Sequence, residues 1–253
     1  MNPTMPSGAD LALLSLRGVH THIGAYHILH GIDLEVPEGQ VTMLLGRNGA
    51  GKTTTLRTVM GLWPASRGEI GFAGQALHSM PTPDIARLGI AYVPEAMGIF
   101  TDLTVQENMV LAARGARHAG ELDSARLEWI FSLFPALRKF WLYPAGKLSG
   151  GQKQMLAIGR AIVEPRRLLL IDEPSKGLAP AIVRNLISAL RELKAQRTTV
   201  LLVEQNFTVA KALGDRVAVM DNGRVVHRGA MAELAEDQAL QQRLLGLSLG
   251  EHA

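Results

Sequence analysis

Eight consecutive residues, 46–53, have the composition of a phosphate-binding loop. Gly46, Gly51, Lys52 and Thr53 match the pattern G-x-x-x-x-G-K-[ST], between an apolar run and a predicted helix. Glycines let several backbone N–H groups point at one phosphate, and the helix start adds its unpaired amides. Lys52 is expected to neutralise the terminal phosphates, and the Thr53 hydroxyl to bind Mg²⁺. We assign nucleotide contacts to Gly46, Arg47, Asn48, Gly49, Ala50, Gly51, Lys52, Thr53 and Thr54.

Two acidic residues follow a second apolar run. Residues 168–171 are all aliphatic and lead directly into Asp172 and Glu173. Because ligands bind at the carboxyl ends of parallel strands, we predict that Asp172 holds Mg²⁺, directly or through water. Glu173 is predicted to polarise the attacking water as a general base. The alternative, an acidic pair that only caps a strand, is disfavoured by the phosphate-binding loop upstream.

A third motif lies just before the acidic strand. Leu148, Ser149, Gly150, Gly151 and Gln152 spell LSGGQ, in which S-x-x-Q is a capping box that opens a helix. The helix is predicted to bury one apolar face and to stop before a proline at position 165. The two glycines at its start would leave backbone amides exposed for an anion.

With these motifs in this order, the chain resembles ATP-binding cassette (ABC) ATPases from about residue 11 to residue 245. The resemblance implies that ATP and Mg²⁺ are the cofactors and that LSGGQ contacts the γ-phosphate held by another subunit. Ser149 and Gly151 would make that contact, so two cassettes would enclose two ATP molecules. Tyr26 is placed where the family has an aromatic residue that stacks on adenine, although a lone tyrosine is more often a core residue.

Three positions differ from the common cassette pattern. Glu95 follows Pro94 where glutamine is usual, and Gln205 stands where histidine is usual. The segment 175–180 reads SKGLAP, without the usual aspartate. The combination resembles the shorter, LivF-type ATPase subunit of branched-chain or hydrophobic amino-acid importers. By this resemblance we place Glu95 at the nucleotide and metal and Gln205 at the reacting phosphate.

That subfamily implies a set of partners and a location. The expected partners are a second, related or identical ABC ATPase, two membrane permeases and a periplasmic substrate-binding protein. The expected location is the cytoplasmic face of the bacterial inner membrane, where the protein would be peripheral. Residues 96–100 depart from the subfamily in a loop that faces the permease. An importer for urea, amides or aromatic acids therefore stays open as an alternative.

The order of apolar runs predicts an α/β fold with a helical insertion, and the resemblance implies a P-loop NTPase of the ABC type, as one domain over residues 11–245. By the same resemblance, the short strands up to residue 36 are expected to form an antiparallel β subdomain, and roughly residues 98–164 a helical signature subdomain. A buried strand is predicted at 41–45, a short strand at 90–93, and parallel strands covered on both faces at 168–171 and 200–203. A hairpin is predicted at 217–227 and a helix over 230–245. Residues 1–10 are predicted to be a loose tail.

Composition limits the other function classes. The chain has 253 residues, 47% hydrophobic and 19% charged, with no cysteine and a formal charge of +3. No run is apolar enough to span a bilayer, and the first ten residues lack the pattern of a secretory signal, so any membrane tie is expected to come from a partner. A cassette acting on nucleic acid is an alternative, but the basic group at 114–118 is short. A binding-only cassette is another, suggested by Gln205, which cannot carry the positive charge of histidine.

Overall fold

The computed structural model describes residues 12–246, so the tail predicted at 1–10 lies outside the described residues. In chain order the described strands are β1 (Ala12–Ile23), β2 (Tyr26–Pro37), β3 (Val41–Gly46), β4 (Ala65–Phe72), β5 (Gln75–Ala76), β6 (Ile90–Val93), β7 (Leu168–Asp172), β8 (Thr199–Val203), β9 (Arg216–Asp221) and β10 (Arg224–Ala230). The described α-helices are α1 (Lys52–Val59), α2 (Thr82–Arg87), α3 (Val105–Ala112), α4 (Ser124–Leu133), α5 (Pro135–Lys139), α6 (Gly150–Ala161), α7 (Pro180–Ala195), α8 (Phe207–Leu213), α9 (Met231–Glu236) and α10 (Gln238–Leu245).

One sheet is antiparallel and has the order β2-β1-β4-β5. Leu14 and Leu16 of β1 lie opposite Val36 and Leu34 of β2, and all four side chains are buried. Alternate residues of a strand point to the same face, so this register places the aliphatic side chains of both strands on the core side. The antiparallel β subdomain predicted before residue 37 is confirmed.

The second sheet has the order β10-β9-β3-β8-β7-β6, and its strands are parallel except β10. Both of its faces are covered, because alternate residues of one strand enter different cores. In β7, Leu169 and Ile171 pack in the core shared with the helices, whereas Leu168 and Leu170 pack against the antiparallel sheet. This double burial explains why the parallel strands appear in the sequence as continuous aliphatic runs.

The helical segment between β6 and β7 comprises α3, α4, α5 and α6. Capping boxes open α3 at Thr104 and α6 at Ser149, as local sequence chemistry requires. Ile130 of α4 and Phe134, which directly follows α4, are buried in the core shared with the helices, so both lie on the inner side of this segment. No described helix is both long and apolar enough to cross a membrane.

The single helix predicted over residues 230–245 is wrong. β10 extends to Ala230, and the rest divides into α9 and α10. The division falls at Asp237, whose side chain accepts a hydrogen bond from the backbone N–H of Leu240. An aspartate that caps the next helix competes with continuation of the previous one, so the chain bends there.

Candidate active site

The loop between β3 and α1 requires its glycines for reasons of space as well as conformation. Gly46 has a φ of 144°, and a Cβ there would lie 2.2 Å from the carbonyl oxygen of Met220. Gly51 has a φ of 101°, and a Cβ there would lie 2.9 Å from the side chain of Leu29. Strands β9 and β2 thus leave no room for a side chain at positions 46 and 51, and both positions also need a backbone conformation that favours glycine.

Lys52 folds back over this loop. Its Nζ donates to the carbonyl oxygens of Gly46 at 2.8 Å and Arg47 at 3.1 Å, and the side chain is 4% exposed. Lys52 is also the first residue of α1, and the backbone N–H groups in the first turn of a helix have no preceding carbonyl within the helix to bind. A buried ammonium and unpaired helix amides around one turn form a cradle suited to an anionic phosphate chain.

Thr53 and Asp172 meet at the edge of this cradle. The Thr53 hydroxyl donates to Asp172 Oδ1 at 3.1 Å, and the Tyr92 hydroxyl lies 3.3 Å from Asp172 Oδ2. Burial raises the pKa of Asp172, against the hydrogen bonds from these two hydroxyls. Burial and the charge of Asp172 raise the pKa of Tyr92 to about 12. A carboxylate beside a hydroxyl is a hard oxygen donor set of the kind that Mg²⁺ binds.

In the part of the chain described here, no three His, Cys, Asp or Glu side chains are grouped so as to hold a metal. Mg²⁺ commonly takes only one or two protein oxygen ligands and keeps phosphate and water as the others. The Thr53–Asp172 pair therefore fits the predicted metal as far as its donor chemistry goes.

Glu173 adopts a left-handed backbone conformation, with a φ of 46°, directly after β7. Its Oε1 accepts a hydrogen bond from Gln205 Nε2 at 2.6 Å and lies 3.5 Å from Lys52 Nζ. Gln205 Nε2 also lies 2.6 Å from Asn48 Oδ1, which joins the phosphate-binding loop to the acidic strand. Non-glycine residues rarely accept such a conformation except where the surroundings impose it, and they do so most often at functional sites.

The electrostatic environment keeps Glu173 ionised. Burial by itself would raise its pKa, but the net shift is downward. The opposing effects are, in order, the hydrogen bond from Gln205 and the positive charges of Lys52 and Lys176. A carboxylate that is ionised, 8% exposed and next to the phosphate cradle has the properties that a general base needs.

Glu95 lies on the other side of Lys176. Lys176 Nζ is 2.6 Å from Glu95 Oε1 and 3.5 Å from Glu173 Oε2, so this lysine bridges the two acidic side chains. The charge of Glu95 contributes to the raised pKa of Asp172. Its roles at the nucleotide and the metal remain predictions. Lys176 was not predicted as a site residue. Its position three residues after Glu173 in the sequence could have indicated that it lies near the acidic pair.

The LSGGQ motif forms the start of α6. The Ser149 backbone N–H donates to Gln152 Oε1 at 2.8 Å, and the Gln152 N–H donates to Ser149 Oγ at 3.4 Å. Leu148 and Gly151 are buried, whereas Ser149 and Gly150 are exposed. A Cβ on Gly151 would lie 2.6 Å from Ile182 of α7, so packing alone requires glycine there.

Tyr26 is the first residue of β2, and its side chain is 76% exposed. It is therefore a surface residue, not the core residue that a lone tyrosine usually is. The same strand reaches the phosphate-binding loop through Leu29, which packs against Gly51. Adenine stacking on Tyr26 stays a prediction.

Comparison with known proteins places the chain in a family. The profile of the family described as "ABC transporter" matches residues 29–176, which is more than half of the chain. The chain belongs to the ABC transporter family. It is a P-loop ATPase of this family, with the cassette fold.

Several relatives match the cassette over most of its length. It is 40% identical over 235 residues to the high-affinity branched-chain amino acid transport ATP-binding protein BraG of Pseudomonas aeruginosa, covering 92% of this chain and 100% of the relative. It is 34% identical over 222 residues to the probable branched-chain amino acid transport ATP-binding protein LivF of Archaeoglobus fulgidus, covering 87% and 93%.

Solved structures agree. A nucleotide-free ATP-binding cassette from an ABC transporter superposes with a TM-score of 0.78 at 22% identity, covering 94% of this chain and 100% of that one. An ATP binding subunit of an ABC transporter superposes with a TM-score of 0.73 at 32% identity, covering 94% and 97%. The cassette thus has the predicted P-loop α/β fold with an antiparallel sheet and a helical subdomain.

Proposed function

We propose that this cassette is the ATPase subunit of an importer for branched-chain or other hydrophobic amino acids. The observation that carries the proposal is the 40% identity to BraG, which extends over the whole length of that relative. The LivF relative of Archaeoglobus fulgidus is likewise a probable branched-chain amino acid transport ATP-binding protein. Import of urea, amides or aromatic acids is the alternative that the unusual residues 96–100 leave open.

ATP hydrolysis is proposed to occur at the cradle between the phosphate-binding loop and β7. The loop amides and Lys52 hold the phosphates, and Thr53 and Asp172 hold Mg²⁺, which neutralises phosphate charge when bound. Glu173 accepts a proton from the attacking water. Gln205 fixes the Glu173 carboxylate with one Nε2–H group, and the other, which binds Asn48, would turn to the γ-phosphate. Most of the rate enhancement then comes from positioning and charge, as is general for phosphoryl transfer.

The working unit is proposed to be a pair of cassettes. Ser149 and Gly150 are exposed at the start of α6, where first-turn amides are available to an anion. The two hydrogen bonds between Ser149 and Gln152 pre-form the turn, so it can receive the γ-phosphate bound by a second cassette. The second subunit is proposed to be a related ATPase, by resemblance to the LivF type.

A wide groove supports a permease as a further partner. The groove has a volume of about 930 Å³ and lies between α2, β6, the loop after β6 and α6. Ala86, Met97 and Arg160 are among its lining residues. Arg160 donates to the carbonyl oxygen of Gly98 and lies 5.1 Å from the ring centroid of Phe100. The segment that departs from the subfamily thus forms a wall of the groove, where it would set the choice of permease.

Co-purification from gently solubilised bacterial inner membranes tests the partners and the location. The tagged cassette should recover a second ABC ATPase, two permeases and a periplasmic binding protein, and no nucleic acid. Ala86→Arg, which fills the groove, should lose the permeases but still bind ATP. Val226→Arg, at an exposed aliphatic residue outside the groove, is the matched control and should keep them.

The identity of the cargo is tested with the recovered complex. The binding protein loaded with leucine should stimulate ATP hydrolysis, whereas urea or an aromatic acid should not. Stimulation by urea alone would replace the proposed cargo while leaving the importer assignment intact. Recovery of ribosomes or nucleic acid without membrane partners would overturn the importer itself.

A further inference from the structure

Glu204 lies beside the proposed catalytic base but takes no direct part in the proposed hydrolysis. It directly follows β8, as Glu173 directly follows β7. The two strands are parallel neighbours with Asp172 opposite Val203. The two glutamates therefore begin adjacent loops at the same edge of the sheet, and both loops reach the phosphate cradle.

Four hydrogen-bond donors converge on the Glu204 carboxylate, two from each loop. From the loop after β7, the Ser175 backbone N–H donates to Oε1 at 3.0 Å and the Ser175 hydroxyl donates to Oε2 at 2.8 Å. From the loop after β8, the backbone N–H groups of Gln205 and Asn206 donate to Oε2 at 3.2 and 3.3 Å. One side chain thus fastens both loops to each other.

Fold stability alone does not explain a carboxylate at this position. Glu204 is 2% exposed, and among residues 12–246 no cation forms an ion pair with it. Burial raises its pKa, which the four hydrogen bonds partly offset. Well-packed apolar groups often replace buried charges without loss of stability, so a buried carboxylate calls for another reason.

We propose that Glu204 is a positioning residue for ATP hydrolysis, which holds Gln205 against Glu173. Its carboxylate binds the backbone of Gln205, and the side chain of that residue reaches Glu173 Oε1 at 2.6 Å. Two of its other three bonds hold Ser175, which lies two residues after Glu173. Glu204 thus positions both Gln205 and the loop that carries Glu173. The inference rests on the proposed role of Glu173 as the general base.

Glu204→Gln is the most direct variant, because an amide keeps the size of the side chain. The amide has one acceptor oxygen, and its NH₂ group faces backbone N–H donors in either orientation. We expect kcat to fall about 10-fold, the typical effect of losing a hydrogen bond to a charged group. The KM for ATP should stay within about 3-fold, since the phosphate-binding loop is not touched.

Two further variants and a control separate positioning from folding. Ser175→Ala removes one of the four donors and should lower kcat by about 3-fold, a smaller effect because three donors remain. Ser175→Thr keeps the hydroxyl and should recover most of that loss. Thr199→Val removes a buried side-chain acceptor of the Gly39 N–H at the opposite end of β8. It should lower the melting temperature with no change in kcat.

The decisive readout is the same Glu204→Gln change in a Glu173→Gln background. If Glu204 acts by positioning Glu173, Glu204→Gln should lower kcat by less than about 2-fold further in that background. The contact that Glu204 supports is already lost in Glu173→Gln. Equal losses in both backgrounds, or a native kcat for Glu204→Gln alone, would overturn the proposal. A native kcat for Glu173→Gln alone would instead refute the role of Glu173 as the general base. That result is distinct, because it is measured without any change at Glu204.

Discussion

Replacing Gln205 with leucine tests whether the contact between the two loops contributes to hydrolysis. The change keeps the approximate size of the side chain and removes the amide that joins Asn48 to Glu173. Both hydrogen bonds are 2.6 Å long, but the Asn48 end is exposed, whereas the Glu173 end is partly buried. The exposed end contributes little because water replaces it, so the Glu173 end carries most of the effect.

The expected magnitude follows from the charge on Glu173. A hydrogen bond to a charged group contributes about 1.5–3 kcal/mol, and partial exposure favours the lower part of that range. About 1.5–2 kcal/mol in the transition state corresponds to a fall in kcat of about 10- to 30-fold. The KM for ATP should change by less than about 3-fold, because the phosphate-binding loop stays intact.

The assay is phosphate release at saturating ATP, with ATP affinity measured separately on the same samples. Gln205→His restores a donor and should remain within about 3-fold of the native kcat. Asn48→Ala removes only the exposed bond and should lower kcat by less than about 3-fold. A native rate for Gln205→Leu would refute the view that this contact orients the base, and would leave Gln205 as a tolerated substitution for histidine.

Three other changes probe separate parts of the account. Lys52→Ala should weaken ATP binding about 10- to 100-fold, since it removes the buried ammonium from the cradle; isothermal titration checks this, and native affinity would contradict it. Ser149→Arg should leave ATP binding intact but abolish both ATP-dependent pairing in sedimentation and hydrolysis, whereas full hydrolysis by a monomer would contradict the shared site. Burial, then the neighbouring His27, lowers the pKa of His20 and His30 from 6.5, so the folded protein binds fewer protons than the unfolded one. The contribution of these two histidines to stability is therefore fully present above pH 6.5 and is lost as the pH falls towards their lowered pKa values. His27→Gln should reduce this loss in a series of melting temperatures measured against pH.

Much of the phosphate cradle was predictable because its chemistry is local. The glycine spacing and Lys52 are contiguous in sequence, and the strand before them and helix after them follow from simple patterns. The reason for Gly46 was not predictable, because the carbonyl oxygen that excludes a Cβ belongs to Met220, far along the chain. Gly151 was explained in advance by exposed amides, whereas its close contact with Ile182 appears only in the folded protein.

The loop contacts required the tertiary structure. Glu204 and Ser175 are far apart in sequence, and they meet only because β7 and β8 are adjacent in the sheet. Strand order of this kind is not encoded in a local pattern, so the pair could not be inferred from spacing. The division of the predicted last helix at Asp237 could have been anticipated, since aspartate is a common N-cap residue.

Glu173 is proposed to serve as the base for ATP hydrolysis in the cradle built around Lys52. The most direct measurement is phosphate release by the native cassette and by Glu173→Gln, each with its partners and with ATP affinity measured in parallel. If Glu173 is the base, kcat should fall by about 10²- to 10⁴-fold in the variant, with ATP affinity retained. Equal rates for the two proteins would contradict it and move the base to another residue.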